Sequence, residues 1–207
     1  MALADGLPAP VAGLDEVGRG PWAGPLVAAA VILPEDAAWP AVDDSKRLSP
    51  KRRAALARQI LETAAVGIAV IEVAEIDRLG LGPANDAAMA RAVAALPQRP
   101  AGLIVDGRRV VPGLNLPARG VPGGDGKVAA IAAASIVAKV HRDDLMDTLN
   151  QRYPGYGWDT NRGYGTRAHA DALDRLGVTP EHRRCFAPIA ARIAARLAAK
   201  AASAARP

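Results

Sequence analysis

The chain has 207 residues, half of them apolar, a formal net charge of +5 and a single cysteine, Cys185. This length fits one domain with a real hydrophobic core, while one cysteine excludes an intramolecular disulfide framework and a cysteine zinc cluster. No apolar run approaches the ~18 residues of a membrane span, and the opening MALADGLPAP lacks both the basic and the apolar region of a signal peptide. A soluble, cytoplasmic protein without a membrane partner is therefore expected, and its positive charge suits a partner that carries phosphates.

In chain order, an apolar run (Val11, Ala12, Gly13, Leu14) ends in adjacent carboxylates, Asp15 and Glu16, then Gly18, Arg19 and Gly20, before a second apolar run at residues 26–33. Neighbouring strand residues point to opposite faces, so one acid of the pair faces the interior and needs a cationic partner, of which a metal ion is the simplest. A loop rich in Pro and Asp follows. Ser49-Pro50 then makes a helix start, with Ser as N-cap and Pro at the first helical position, and Leu56, Ile60 and Leu61 recur at helical spacing beyond it. The β-branched stretch 66–73 predicts a third strand. Residues 74–80 and 83–96 read as helices separated by a break at Gly82-Pro83.

Leu103, Ile104 and Val105 predict a short buried strand that ends at Asp106-Gly107, a place where α/β folds put ligand sites. Residues 108–124 read as a loop with a short strand near 119–121. Asp125 then stands just before a long helix over about 127–152, whose alanines and Ser135 allow close packing on a sheet; Ser135 has no histidine at a suggestive spacing and reads as a packing residue. Residues 153–165 form a loop dense in glycine and aromatic rings, in a chain with only 3% aromatics. A helix over 167–176 ends at Gly177. In the tail, Ile189, Ile193 and Leu197 make one apolar stripe, which predicts a docked helix that frays near its end.

Asp15, Glu16, Asp106 and Asp125 come from three separate chain positions, each at the edge of an apolar element. If they converge, burial of so much negative charge demands cations, and two divalent ions about 4 Å apart would both neutralise them and support in-line phosphodiester displacement. Hard oxygen ligands favour Mg²⁺ or Mn²⁺ over zinc. The alternative from the residues alone is four solvated loop acids. His141, His169 and His182 share no metal-ligand spacing and read as surface or structural residues.

The ordered series of motifs resembles the ribonuclease HII family, the type 2 ribonucleases H. The opening PVAGLDEVGRGPWAGPLVAAAVIL, then DSKRLSP at 44–50, VDG at 105–107, GGD at 123–125, IAAASIVAKV at 131–140, Arg142-Asp143, YPGYGWDTNRGYGTRAH at 153–169 and HRRCFAP at 182–188 all match in family order. The resemblance implies an α/β ribonuclease H-like fold, a mixed five-stranded sheet flanked by helices, within a single domain over residues 1–207 whose catalytic core spans about 10–150 and whose helical C-terminal part forms one wall of a nucleic-acid groove. It implies an endonuclease that hydrolyses the RNA strand of RNA–DNA hybrids and cuts 5′ of single ribonucleotides in duplex DNA, leaving 3′-hydroxyl and 5′-phosphate ends.

On this resemblance Asp15, Glu16, Asp106 and Asp125 hold two divalent ions, Mg²⁺ or Mn²⁺. Gly18, Arg19 and Gly20 contact the 2′-hydroxyl at the RNA-to-DNA junction, and Tyr164 packs on the neighbouring sugar. Lys46, Lys139 and Arg162 are candidates for phosphate contacts. The chain departs from the family pattern at Gly123, where a lysine is common, and at His141, Arg162 and Cys185, where threonine, lysine and serine are usual. Two rivals belong to other classes. A non-catalytic hybrid-binding module would keep the groove without the chemistry. A dinucleotide site would use Gly18, Gly20 and Gly24, but that fingerprint has to open a helix, and here a strand is predicted. The default assembly is a monomer.

Overall fold

The structure, a computed structural model, describes residues 4, 6–34, 48–108 and 110–204. The predicted loop that carries Asp43, Asp44, Ser45 and Lys46 lies outside them. Five strands form one mixed sheet in the order β3-β2-β1-β4-β5: β1 (Val11–Val17), β2 (Leu26–Ile32), β3 (Ala65–Ile71), β4 (Gly102–Asp106) and β5 (Ala118–Val121). β1 is the hinge of this topology, pairing antiparallel with β2 and parallel with β4. The helices are α1 (Pro50–Thr63), α2 (Val73–Leu79), α3 (Leu81–Ala94), α4 (Ala129–Arg152), α5 (Trp158–Asn161), α6 (Arg167–Leu176) and α7 (Ala187–Ala204). Among the described residues none is long and apolar enough to cross a membrane.

β2, LVAAAVI, is buried along its whole length. Its alternate residues serve two cores: Leu26, Ala28, Ala30 and Ile32 pack with α3, whereas Val27, Ala29 and Val31 pack with α1 and α4. Three central alanines would suit a helix, but a strand covered on both faces gains more by pairing with both neighbours. Glycines set the closest approaches of helix to sheet. A Cβ on Gly13 of β1 would lie 2.2 Å from the Ala130 carbonyl carbon of α4, and one on Gly67 of β3 would lie 2.1 Å from the Ala92 oxygen of α3. The two backbones therefore touch where side chains would normally separate them.

Ser49 caps α1 as expected, its Oγ accepting from Arg52 N at 3.4 Å, with Pro50 in the first turn. Some expectations differ from the fold. The break between α2 and α3 falls at Gly80, whose φ of 79° closes one helix and opens the next. Gly82 and Pro83 lie inside the first turn of α3, where amides have no intrahelical partner and proline is tolerated. Leu61 is exposed while Ala57 and Ile60 are the buried members of α1, and Leu197 is exposed, so of the predicted apolar stripe of α7 only Ile189 and Ile193 dock. Cys185 is exposed, and its backbone N–H donates to Asp77 Oδ1 at 2.9 Å. One turn of helix, α5, interrupts the loop predicted over 153–165.

The C-terminal part has its own small core of Tyr156, Trp158, Leu173 and Ile189, with Met146 from α4. His169 and His182 are wholly buried in it. Trp158 Nε1–H donates to His169 Nε2 at 3.1 Å, so that nitrogen carries no proton, and His169 Nδ1–H donates to the Tyr164 carbonyl at 2.9 Å. His182 Nε2–H adds a second donor to the same His169 nitrogen at 3.1 Å, while His182 Nδ1 accepts from the Thr179 N–H at 3.0 Å. Every ring nitrogen is used, and the pattern requires both imidazoles to be neutral. Burial first, and then the neighbouring His169, push His182 down to about 3 from 6.5.

Two stability measurements follow from this packing. Gly13→Ala should lower the urea-unfolding free energy by roughly 3 kcal/mol or more through overpacking, whereas Gly82→Ala, where a Cβ meets open space, should raise it by about 0.5–1 kcal/mol. Equal effects would contradict the backbone contact at Ala130. For the histidine pair, the unfolded chain binds protons near pH 6.5 and the folded chain does not. Their contribution is therefore complete above pH 6.5 and declines below it, for His182 down toward its folded value near 3. His182 alone should cost about 1.4 kcal/mol per pH unit in that window. Urea titrations at pH 7.5 and 5.0 should show a shallower decline for His182→Gln than for wild type; parallel declines would place the acid sensitivity elsewhere.

Candidate active site

The strand pairing decides which acids can meet. Ala12 and Leu14 of β1 face α3, so Gly13 and Asp15 face α4 and Glu16 returns to the α3 side. In β4, Leu103 and Val105 pack on the α3 side and Ile104 packs with Ile131 of α4, which puts Asp106 on the α4 side too. The parallel register pairs Leu14 with Val105, and one step further it brings Asp15 beside Asp106 at the ends of adjacent strands. Asp125 sits in a single 3-10 turn, Gly124–Gly126, that leads into α4. That turn is tied to β4 because the Gly124 N–H donates to Asp106 Oδ1 at 2.7 Å.

Asp15 and Asp125 are each only 7% exposed. Burial pushes the Asp15 carboxyl up to about 7, the charges of Glu16 and Asp106 add to the rise, and hydrogen bonds from the Ser135 hydroxyl and from its neighbour's amide, Glu16 N at 2.8 Å, oppose it. Burial raises Glu16 as well, against the pull of Arg19, whose Nη1 donates to Glu16 Oε1 at 3.2 Å. The Gly126 N–H donates to Asp125 Oδ1 at 3.1 Å. Among the described residues no group of three or more acid, histidine or cysteine donors is drawn together closely enough to hold a metal ion. The donor chemistry nevertheless fits a divalent cation. These are hard carboxylate oxygens, and burial, the main cause of the raised Asp15 and Glu16, makes their ionisation costly until a cation lies beside them.

Glu16 and Asp106 open onto a cavity of about 340 Å³ that is also lined by Arg19, Asn85, Asp86 and Val110. Asn85 Oδ1 is buried there with no hydrogen-bond partner among the described residues. The larger cavity, about 910 Å³, lies between α6 and α7, beside Leu176, Arg192 and Arg196, and holds none of the four acids.

Beside the acids, residues 18–25 leave β1 and return as β2, so the glycine-rich stretch opens a strand and the dinucleotide reading fails. Gly20 lies against the Tyr164 ring, its would-be Cβ 3.4 Å from Tyr164 Cε1, and Tyr164 is about half exposed at 48%. Arg19 is exposed too. The glycine triplet and the tyrosine, far apart in the chain, thus form one surface. Lys139 and Arg162 are tied to acids of α4. Both pair with Asp143, and Arg162 also pairs with Asp147, so each is a partly neutralised cation. Lys46 lies outside the described residues.

Sequence reasoning missed three contributors. Ser135, read as packing, is the hydroxyl that holds Asp15. Arg142 and Arg183 are fully buried and donate to main-chain carbonyls around the glycine triplet. Their signal was a charged residue within or beside an apolar motif, which is rare in the absence of a partner.

A family model described as Ribonuclease HII matches residues 12–188. A ribonuclease HII of Jannaschia sp. (strain CCS1) is 54% identical over 180 residues, 87% of this chain and 90% of that one. The crystal structure of the ribonuclease H2 from Pyrococcus horikoshii OT3 superposes with a TM-score of 0.73 at 26% identity, covering 86% of this chain and 94% of that one. The fold is shared also by Bst-RNase HIII in complex with Mn²⁺, with a TM-score of 0.65 at 21% identity over 89% of this chain and 69% of that one. An alignment of this extent and identity, on a sheet of this topology, places the chain in the ribonuclease HII family.

Proposed function

We propose that this ribonuclease H enzyme hydrolyses the RNA strand of RNA–DNA hybrids and cuts duplex DNA on the 5′ side of a single embedded ribonucleotide, leaving 3′-hydroxyl and 5′-phosphate ends. The observation that carries the reading is the juxtaposition of Asp15 and Asp106 on one face of adjacent strand ends, next to the surface made by Gly20 and Tyr164. Asp15, Glu16, Asp106 and Asp125 would hold two divalent ions, Mg²⁺ or Mn²⁺. Such ions, when bound, supply Lewis acidity toward the phosphate and a more acidic water.

The chain's own groups do the rest. Ser135 and the Gly124 amide orient the Asp15 and Asp106 carboxylates. The main chain of Gly18, Arg19 and Gly20 meets the 2′-hydroxyl, the group that separates a ribonucleotide from its deoxy counterpart. The Tyr164 ring packs on the adjoining sugar, and Lys46, Lys139 and Arg162 meet phosphates farther along the strand. In this reading the chain acts as a monomeric single catalytic domain in the cytoplasm, removing ribonucleotides in DNA replication and repair.

The test is cleavage of a labelled duplex holding one ribonucleotide, in Mg²⁺, in Mn²⁺ and in EDTA. Wild type should cut 5′ of the ribonucleotide with either metal and not in EDTA. Asp106→Asn should lose at least about 100-fold in rate while still binding the duplex, and Ser135→Ala, which removes an orienting partner, about 10-fold or more. Tyr164→Ala should lose about 5- to 100-fold in kcat/KM, the range for one stacking contact. Binding without cutting in either metal would leave a hybrid-binding module instead.

A further inference from the structure

Two of the motifs matched in the sequence, Arg142-Asp143 and HRRCFAP, have no part in the chemistry above, yet each contributes a wholly buried arginine. We propose that Arg142 and Arg183 are positioning residues that lock the Gly18–Gly20 turn to the Tyr164 loop, and so set the register in which a ribonucleotide is recognised. The proposal rests on the recognition role given above to that turn and that ring.

Arg142, from α4, donates through Nε to the Pro25 carbonyl at 2.9 Å, through Nη2 to Ala23 at 3.2 Å and through Nη1 to Arg162 at 3.0 Å. One guanidinium thus bridges the loop that follows the glycine triplet and the loop that carries Tyr164. Arg183 holds the same segment from the other end of the chain. Its Nη1 donates to the Arg19 carbonyl at 3.1 Å, Nε and Nη2 to Gly24 at 3.0 and 2.7 Å, and Nη2 also to Pro25 at 3.1 Å. The acceptors are main-chain oxygens, so what these side chains fix is backbone shape.

The two loops also interlock directly. Trp22 N–H and Ala23 N–H both donate to the Gly163 carbonyl, at 2.8 and 3.3 Å. A Cβ on Gly163 would lie 2.3 Å from the Ala23 oxygen, and one on Gly165 would lie 2.1 Å from the Trp22 ring. Gly18, with φ of 95°, has no room for a Cβ, which would come within 2.3 Å of Arg142 Nε. The backbone is therefore folded around the guanidinium.

Burial without a carboxylate ion pair is unfavourable for a guanidinium, and burial pulls Arg142 down to about 10 and Arg183 to about 9. A loop that only had to close could do so through its own amides. Two buried forks that each span several carbonyls make sense where position must be held to a fraction of an ångström. Lysine, a point charge with three donors on a flexible stem, cannot reproduce the planar fork.

The experiment uses the full chain with Mg²⁺ and compares Arg142→Lys and Arg183→Lys with wild type on a duplex holding one ribonucleotide. The same duplex in all-DNA form serves for binding, and thermal melting reports the fold. Expected is a fall of about 100-fold in kcat/KM on the ribonucleotide duplex, the scale of a misplacement near 1 Å, with part of it in kcat, while affinity for the all-DNA duplex is unchanged. Variants that melt lower but keep wild-type kcat/KM and preference would overturn the proposal, leaving both arginines as stabilisers of the fold. Should the lysine variants not fold, Gly24→Ala takes their place, since Gly24 accepts from Arg183, has a φ of 83° and would bring a Cβ within 2.3 Å of Met146 Sδ, so the clamped segment must shift. The same loss of preference in a folded protein supports the clamp, and wild-type preference overturns it. If wild type itself neither cuts at the ribonucleotide nor prefers it, the recognition reading fails and the clamp falls with it, an outcome distinct from failure of the variants alone.

Discussion

The contact on which the site depends is the backbone-to-backbone approach of α4 to β1 at Gly13 and Ala130. Because nothing separates the two elements there, the next residue of β1 on the same face, Asp15, is pressed beneath the helix and meets Ser135. Farther along, the same helix delivers Arg142 and Met146 to the loop that joins β1 to β2. The 24-residue α4 is therefore a ruler. At 1.5 Å per residue, the seven residues from Ser135 to Arg142 set the acids and the clamp roughly 10 Å apart along its axis.

Along that ruler the electrostatics change sign. At the strand ends, burial raises Asp15 and Glu16, so their carboxylates are costly to ionise until a cation lies beside them. Around residues 18–25, burial lowers Arg142 and Arg183, and their positive charge is met by carbonyl dipoles. Neither cluster neutralises the other, although they share one helix. In both clusters burial works against the charged form: the arginines are met by backbone oxygens, and on the proposed role the acids would be met by a cation.

Much of this was legible from the residues, and the reasons differ by element. β1, β2 and β4 could be read because their apolar runs stop at glycine, proline or acid, and the α1 cap because Ser-Pro is a strong local signal. Local reasoning failed where packing decided. Leu61 and Ile60 are chemically alike, but only Ile60 turns toward the sheet, and Gly82-Pro83 looks like a break although the first turn of a helix tolerates it. Ser135 reads locally as small rather than polar, since its partner Asp15 is 120 positions away in the chain. Arg142 and Arg183 bond residues more than a hundred positions distant, and no window of sequence contains both ends of such a bond.

The glycines of the triplet show why a motif and its mechanism need separate arguments. Small residues before a binding surface suggest that the ligand needs the space. Here Gly18 is small because Arg142 occupies the volume its Cβ would take and because its φ is positive, whereas a Cβ on Gly20 would rest at ordinary contact distance, 3.4 Å, from the Tyr164 ring. The demand at Gly18 comes from inside the protein, and at Gly20 the protein itself would accept a side chain. On the proposed role of this surface, a ligand would meet a backbone already shaped by the Arg142 guanidinium, and the side chains deciding its specificity would include ones it never touches.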